Sequence, residues 1–335
     1  MSTKRILVPD FSTGNRIMEF NHELMECESA ILDFSGIGFA KPAGMVLLSQ
    51  IIRNSVKAGK ISGFEGASPY GYPANVGFFD GCLLNVPKHE AAGGETYLPL
   101  QCVDLEEWKI SAVKGNIPFG ELANQKVGRM AYLISRQARG DLFDLIKYCL
   151  REIVRNAMEH GDGKEMWLSG QYWPGNNEVE LCIFDNGIGI RSSLAKNEKF
   201  SKVASDLDAI RLAILPSISG NRAYGSADEI DAEDGAGQWS NSGFGLYVTS
   251  QLSKNCGYFV IGSGDGYQQL SGVESKKGFF GLSGTYIAMH FNVAELGRTA
   301  ARVDEVVKIG ESFAKRHFAS GAEVLASAAS KILIQ

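Results

Sequence analysis

The stretch REIVRNAMEHGDG, residues 151–163, sets polar side chains into a segment that otherwise suits a protein core. On a helix, at about 100° per residue, the apolar residues around it form one stripe that must face a core. The residues of this stripe are Leu142, Ile146, Cys149, Ile153 and Ala157. The polar residues beside the stripe are Glu152, Asn156, Glu159 and His160. Burying such groups unpaired costs a few kcal/mol each, so we expect them to be partnered, solvated or in contact with a ligand.

The chain has 335 residues, a length typical of about two domains. Hydrophobic residues make up 44% of it and charged residues 21%, so it can bury substantial cores. The net charge of −5 argues against a dedicated nucleic-acid surface. No apolar run approaches the roughly 20 residues of a membrane span, and the start of the chain lacks the apolar segment of a signal peptide. We therefore expect a cytoplasmic protein, and we interpret its six scattered cysteines as small buried hydrophobes.

Three glycine-containing motifs follow the opening helix along the chain. In the first glycine motif, DNGIGI (185–190), a carboxylate at the end of a predicted strand precedes backbone that a ligand can approach closely. In the second glycine motif, SNSGFGL (240–246), a glycine-rich turn begins an apolar helix, so free N–H groups and the helix dipole would point at an anion. The third, GTYIAMHF (284–291), is a predicted strand that opens with Gly-Thr. Each glycine motif is a weak signal alone, but the opening helix followed by these three motifs in this order is a strong one.

This order of motifs resembles the GHKL ATPases, a family that includes gyrase-type topoisomerases, heat-shock chaperones, histidine kinases and the anti-sigma-factor serine kinases. The resemblance spans about residues 140–292. It implies an α/β (α+β) sandwich of the Bergerat type, with ATP and Mg²⁺ as ligands.

The family resemblance assigns roles to two residues of the opening helix. Asn156 matches the Mg²⁺ ligand. Glu152, one turn earlier, matches the catalytic residue that polarises the attacking water or hydroxyl. His160 could contact phosphate or form a structural hydrogen bond, and we assign Glu159 to the solvent edge because a second carboxylate would repel a triphosphate.

The resemblance also assigns the nucleotide contacts. Asp185 matches the carboxylate that accepts a hydrogen bond from the adenine amino group, and Thr285 matches the residue that supports it. Gly187 and Gly189 would shape the base pocket. The residues that match the phosphate-binding turn are Ser242, Gly243, Phe244, Gly245 and Leu246.

The helix sequence favours one branch of the family. Histidine kinases usually carry Asn where this chain has Glu152, and topoisomerases need a long transducer domain for which too little chain remains. The box EIVRNAMEHG is closest to that of the anti-sigma-factor serine kinases. Neither Glu152 nor Asn156 selects between water and a serine hydroxyl as the acceptor.

The N-terminal part predicts a second α/β unit. A strand is expected in SAILDFSG (29–36) and another in ETYLPLQCVDL (95–105), with helices at 41–60 and 74–84 between them. This order resembles the STAS fold of anti-sigma-factor antagonists. The position of the phosphorylated serine in that family is Pro42 here, which has no hydroxyl.

The expected organisation is a STAS-like domain at 1–120, a GHKL domain at 121–293 and a helical tail at 294–335. Helices are predicted at 121–148 and 202–214. The segment 191–241 is long for a lid over the nucleotide. This segment contains three candidate phosphate contacts, Arg191, Arg211 and Arg222.

Three functions remain open at this stage. The favoured one is a Mg²⁺-dependent ATPase that acts as a nucleotide-driven switch on a protein partner. The second is a protein serine/threonine kinase acting on a STAS-like partner, and the third is a non-catalytic ATP-binding module. Family members often dimerise when ATP closes the lid, so a homodimer is also an expected partner.

Overall fold

The computed structural model describes residues 3–11, 14–87, 96–160, 163–220 and 243–317. Its first part is a parallel sheet of three strands in the order β1-β2-β3. The elements of this part are β1 (Lys4–Leu7), α1 (Gly14–Glu26), β2 (Ala30–Asp33), α2 (Pro42–Lys57), β3 (Ile61–Glu65), α3 (Tyr72–Asn75) and α4 (Phe78–Gly81). Helices α1 and α2 are the crossover connections that a parallel sheet requires.

The second part is built on a five-stranded sheet in which every neighbouring pair is antiparallel. Its first elements are β4 (Tyr97–Asp104), α5 (Leu105–Gly115), α6 (Phe119–Ser135), α7 (Asp141–His160), β5 (Glu165–Trp173) and β6 (Glu178–Asp185). They are followed by α8 (Ile190–Ala195), a 3₁₀ turn (Glu198–Phe200), α9 (Asp206–Ala213), α10 (Gly245–Cys256), β7 (Gly257–Ser271), β8 (Glu274–Asn292), α11 (Val293–Leu296) and α12 (Thr299–His317). The strand order is β4-β5-β6-β8-β7.

The five-stranded sheet is covered on both faces. Alternation along β6 directs Leu181 and Ile183 into a core with α6, α7 and α10, and directs Cys182 and Phe184 into a second core with α2. The two parts of the chain therefore share this sheet, with the predicted nucleotide site on one face and α2 on the other.

The expected mixed α/β class is confirmed, as an antiparallel five-stranded sheet together with a parallel sheet. The STAS-like and GHKL architectures remain predictions. Strands β2, β5, β6 and β8 and helices α2, α7 and α10 lie where the sequence patterns placed them. None of the helices in the described ranges is both long and apolar enough to cross a bilayer.

The structure corrects the predicted boundary at residue 120. Strand β4 pairs with β5 along most of its length, so residues 97–104 belong to the five-stranded sheet and not to the N-terminal part. The pattern of β4 is that of any half-buried strand, and nothing in it says which sheet it joins.

The helices predicted as single segments are broken at residues with positive φ. The predicted helix 121–148 is two helices, because Arg136 (φ 54°) ends α6 and Gly140 (φ 111°) precedes α7. Gly77 (φ 85°) separates α3 from α4 in the same way. The predicted helix 202–214 is shorter and begins after Ser205, whose hydroxyl caps α9 by accepting from the Asp208 N–H.

The C-terminal tail is partly helical as expected, and its described portion packs on the second part of the chain. Thr299 begins α12 and is tied to the start of α7, since its N–H donates to Asp141 Oδ1 at 2.9 Å and its hydroxyl to the Asp141 carbonyl at 2.8 Å. Gly310 lets α12 approach α10 closely, because a Cβ there would overlap the ring of Tyr247. Helix α12 therefore covers α7 and α10.

Candidate functional site

A cleft of about 690 Å³, measured to its open mouth, lies between α7, the loop after β6 and the start of α10. Six of the predicted site residues line it: Asn156, Asp185, Gly189, Gly243, Leu246 and Thr285. The fold thus brings together residues that are up to about 130 positions apart in the chain (156 to 285).

Asp185 ends β6 and lies directly opposite Thr285 of β8 in the antiparallel ladder. Its side chain is buried, with 7% of the residue exposed. Burial raises the pKa of the carboxyl to about 6, against hydrogen bonds from the Gly187 N–H (2.9 Å to Oδ1) and the Thr285 hydroxyl that favour the charged form. Asp185 is therefore an ionised hydrogen-bond acceptor on the cleft wall above about pH 6.

The loop after Asp185 is held by Ser263 of β7. Its hydroxyl accepts from the Ile190 N–H at 2.9 Å and donates to the Gly284 carbonyl at 2.8 Å. Gly189 has φ +79°, and a Cβ there would lie 2.9 Å from this hydroxyl, so both conformation and space require glycine. Sequence analysis missed Ser263 because strand β7 was not predicted from its glycine-rich sequence.

The second glycine motif combines a tight turn with a buried anchor. Gly243 (φ +70°) accepts from the Ser217 N–H at 3.1 Å, and a Cβ there would lie 2.7 Å from the backbone of Ile218. Phe244 does not face the cleft but is fully buried, with its ring edge-to-face on Tyr247. Ser242, also assigned to this turn, lies outside the described residues.

Glu152 is not among the residues that line the cleft. It is completely buried (0% exposed), which corrects its predicted position at the rim of the helix face. Both carboxylate oxygens accept from guanidinium groups, Oε1 from Arg151 at 3.0 Å and Oε2 from Arg155 at 2.5 Å. Its role in activating water or a hydroxyl remains a prediction.

Arg155 is a residue that sequence analysis missed. It is 1% exposed, and a charged side chain of that size is almost never buried without an opposite charge. The signal that could have found it is the spacing of Glu152 and Arg155, three residues apart on a helix. The start of α10 packs against this pair at Gly245, and Arg155 neutralises the buried carboxylate.

Gly245 begins α10 directly against this ion pair. We expect Gly245→Ala to destabilise the fold by about 1–3 kcal/mol, because its Cβ would overlap Oε2 of Glu152. Replacing glycine by alanine in a helix usually stabilises a protein, so a loss of stability here would point to the steric overlap. Gly175→Ala is the control, since a Cβ there meets nothing within 4 Å. Urea unfolding checks both, and equal stability of the two variants would contradict the close approach.

Asn156 is the one residue assigned to Mg²⁺, and it lines the cleft. The described ranges contain no group of three or more His, Cys, Asp or Glu side chains that could hold a metal. A single amide oxygen fits Mg²⁺ only if phosphate oxygens and water complete the shell, which is how this ion usually binds with nucleotides.

The other predicted contacts are not in the cleft lining. Arg191 donates from Nε to the Val203 carbonyl at 3.1 Å, and Arg211 pairs with Asp208 at 3.2 Å. Arg222 and the side chains of Glu159 and His160 lie outside what the structure describes.

No protein-family model, curated protein or solved structure matches this chain.

Proposed function

We propose that the cleft binds Mg·ATP and that the nucleotide acts as a switch for the engagement of a partner protein. The observation that carries the proposal is the buried Asp185 carboxylate, paired with Thr285 on the wall of the cleft between α7 and the start of α10. The Asp185 carboxylate would accept a hydrogen bond from the exocyclic amino group of adenine.

The remaining lining suits a purine. Apolar side chains of Ile153, Ile190, Leu194 and Ile287 surround the acceptor, and such walls with one or two polar groups are typical of sites that fix a planar ligand. A buried acceptor strongly rejects a ligand that cannot donate to it.

The phosphates would extend towards Asn156 and the start of α10. N–H groups at a helix N-terminus and its dipole favour anions, and Gly243 and Leu246 already border the cleft there. Bound Mg²⁺ would neutralise phosphate charge, with Asn156 as its protein ligand.

The state of Glu152 favours a switch over a fast enzyme. Both carboxylate oxygens of Glu152 accept hydrogen bonds from guanidinium groups, so in this arrangement neither oxygen is placed to orient a nucleophile. Turnover therefore requires Glu152 to leave its arginine partners, and we expect binding to be much faster than hydrolysis.

Calorimetric titration with MgATP and Mg·inosine triphosphate tests the site. The two ligands differ at C6, where inosine carries an oxygen that would face the Asp185 carboxylate. We expect inosine triphosphate to bind at least about tenfold more weakly, since a mismatched buried acceptor costs about 1–3 kcal/mol. Equal affinities, or no binding of either, would refute adenine recognition by Asp185.

The fate of the phosphate separates switch from kinase. Wild type and Glu152→Gln are incubated with γ-labelled ATP and Mg²⁺, and free phosphate and labelled protein are followed. Slow phosphate release that Glu152→Gln abolishes supports the switch. If the label appears on this chain or on an added STAS protein, the protein is a kinase and the switch proposal is wrong. If ATP binds but neither product forms, the protein is a non-catalytic ATP-binding module.

A further inference from the structure

A second cavity, of about 680 Å³ when measured to its open mouth, lies between α2 and the sheet face opposite the cleft. Its walls include four aromatic side chains, those of Phe11, Tyr258, Tyr267 and Tyr286. Glu180 of β6 lies within it, and the half-exposed Lys41 stands at its edge. None of these residues belongs to the proposed nucleotide site.

Glu180 is fully buried, yet its described partners are both neutral. Oε1 accepts from the Ala43 N–H at 2.8 Å, and Oε2 accepts from the Tyr258 hydroxyl at 2.5 Å. The first bond caps α2, whose Lys41 N-cap makes no side-chain capping bond of its own. The helix N-terminus offsets about half a charge, so part of the negative charge of Glu180 has no cationic partner among the described residues.

The three tyrosines of the cavity wall, Tyr258, Tyr267 and Tyr286, contribute electron-rich ring surface but no positive charge. The Tyr286 hydroxyl donates to the Ala43 carbonyl at 3.1 Å, and the Tyr267 hydroxyl donates to Gln269 Oε1 at 3.3 Å. Burial raises the pKa of all three hydroxyls, and the Glu180 charge adds to this for Tyr258 and Tyr286. The phenols therefore stay protonated and neutral beside the carboxylate.

We propose that this cavity binds a small organic cation with an ammonium group, held by the Glu180 carboxylate and the faces of the surrounding tyrosines. Aromatic rings around a carboxylate are the chemistry that recognises methylated and primary ammonium groups. Capping of α2 by itself requires only the Ala43 bond and accounts for neither the cavity nor its aromatic walls.

Calorimetric titration into the full chain compares four compounds. Two are cations, choline and tetramethylammonium; one is an anion, acetate; and one is the uncharged isostere of choline, 3,3-dimethylbutan-1-ol. We expect the two cations to bind and the isostere to bind at least about tenfold more weakly, because only the cations interact with the carboxylate and ring quadrupoles. Acetate should not bind. Equal binding of choline and its isostere, or binding of neither cation, overturns the proposal.

Substitutions locate the bound cation and fix its sign. Tyr267→Leu should weaken choline about tenfold, and Lys41→Met should tighten it severalfold by removing a like charge from the edge of the cavity. Lys109→Met and Tyr132→Leu lie far from the cavity and are the controls. Neither substitution should change the affinity for choline. Glu180→Gln keeps an acceptor for the Ala43 N–H and should also weaken choline. Weaker binding in Lys41→Met, or no change in Tyr267→Leu, overturns the assignment even if Glu180→Gln does not fold.

Discussion

An Asp185→Asn variant is expected to be more stable than the wild type at pH 8 while losing affinity for ATP. Burial raises the pKa of this carboxyl from 3.8 to about 6 in the folded protein. Two pKa units correspond to about 3 kcal/mol, the upper limit of the gain when a neutral amide replaces the charge. Asparagine keeps an oxygen for the Gly187 N–H, so the local hydrogen bond survives.

The gain should depend on pH in a defined direction. Between about pH 4 and pH 6 the folded state holds a proton that the unfolded state has released, so wild-type stability falls as pH rises through this window. The stability difference between variant and wild type should therefore vanish below about pH 4 and reach its maximum above about pH 6. Urea unfolding at pH 4 and pH 8 measures it.

ATP binding is the second readout of the same variant. Loss of a charge-assisted hydrogen bond should reduce affinity by about 10- to 100-fold. Asp304→Asn on α12 is the control and should change neither stability nor affinity. A variant that is less stable at pH 8, or that binds ATP like the wild type, would show that Asp185 serves the fold and not a ligand.

Arg155→Met should cost about 1.5–3 kcal/mol of folding stability, because the buried Glu152 carboxylate loses one of its two guanidinium partners. The change leaves Glu152 fully buried with Arg151 as its remaining described ion-pair partner. The double variant Glu152→Gln/Arg155→Met should recover part of the loss, because it removes the carboxylate from the interior while the glutamine oxygen can still accept from Arg151. A double-mutant cycle in urea measures the coupling free energy.

Helix α9 supplies a matched control for this cycle. Asp208 and Arg211 have the same order and the same i, i+3 spacing as Glu152 and Arg155, but each side chain is 47% exposed. Their coupling should be under about 1 kcal/mol, as for other surface pairs. Similar couplings in the two pairs would contradict the enclosed position of Glu152.

Local patterns in the sequence predicted the elements that form the cleft. The apolar stripe of α7 is buried as its spacing required, Asp185 stands at the end of its strand, and Gly189 and Gly243 occupy the positive-φ positions of their turns. These features depend on a residue and its near neighbours, which is why a single sequence carries them. Strands β1, β3 and β7 were missed because short or glycine-rich segments carry weak periodic signals. Helices α1 and α5 were also not predicted, although neither is short or rich in glycine.

By itself, the sequence determined which residues stand at the end of a strand, in a tight turn or on the buried face of a helix, since these are properties of short segments. The tertiary structure decided what each of the two glutamates does. Glu152 is enclosed with Arg155 where the start of α10 packs against them at Gly245. Glu180 caps a helix 137 residues away through the Ala43 N–H. Such contacts join segments far apart in the chain, and they form only when packing of the apolar faces brings those segments together.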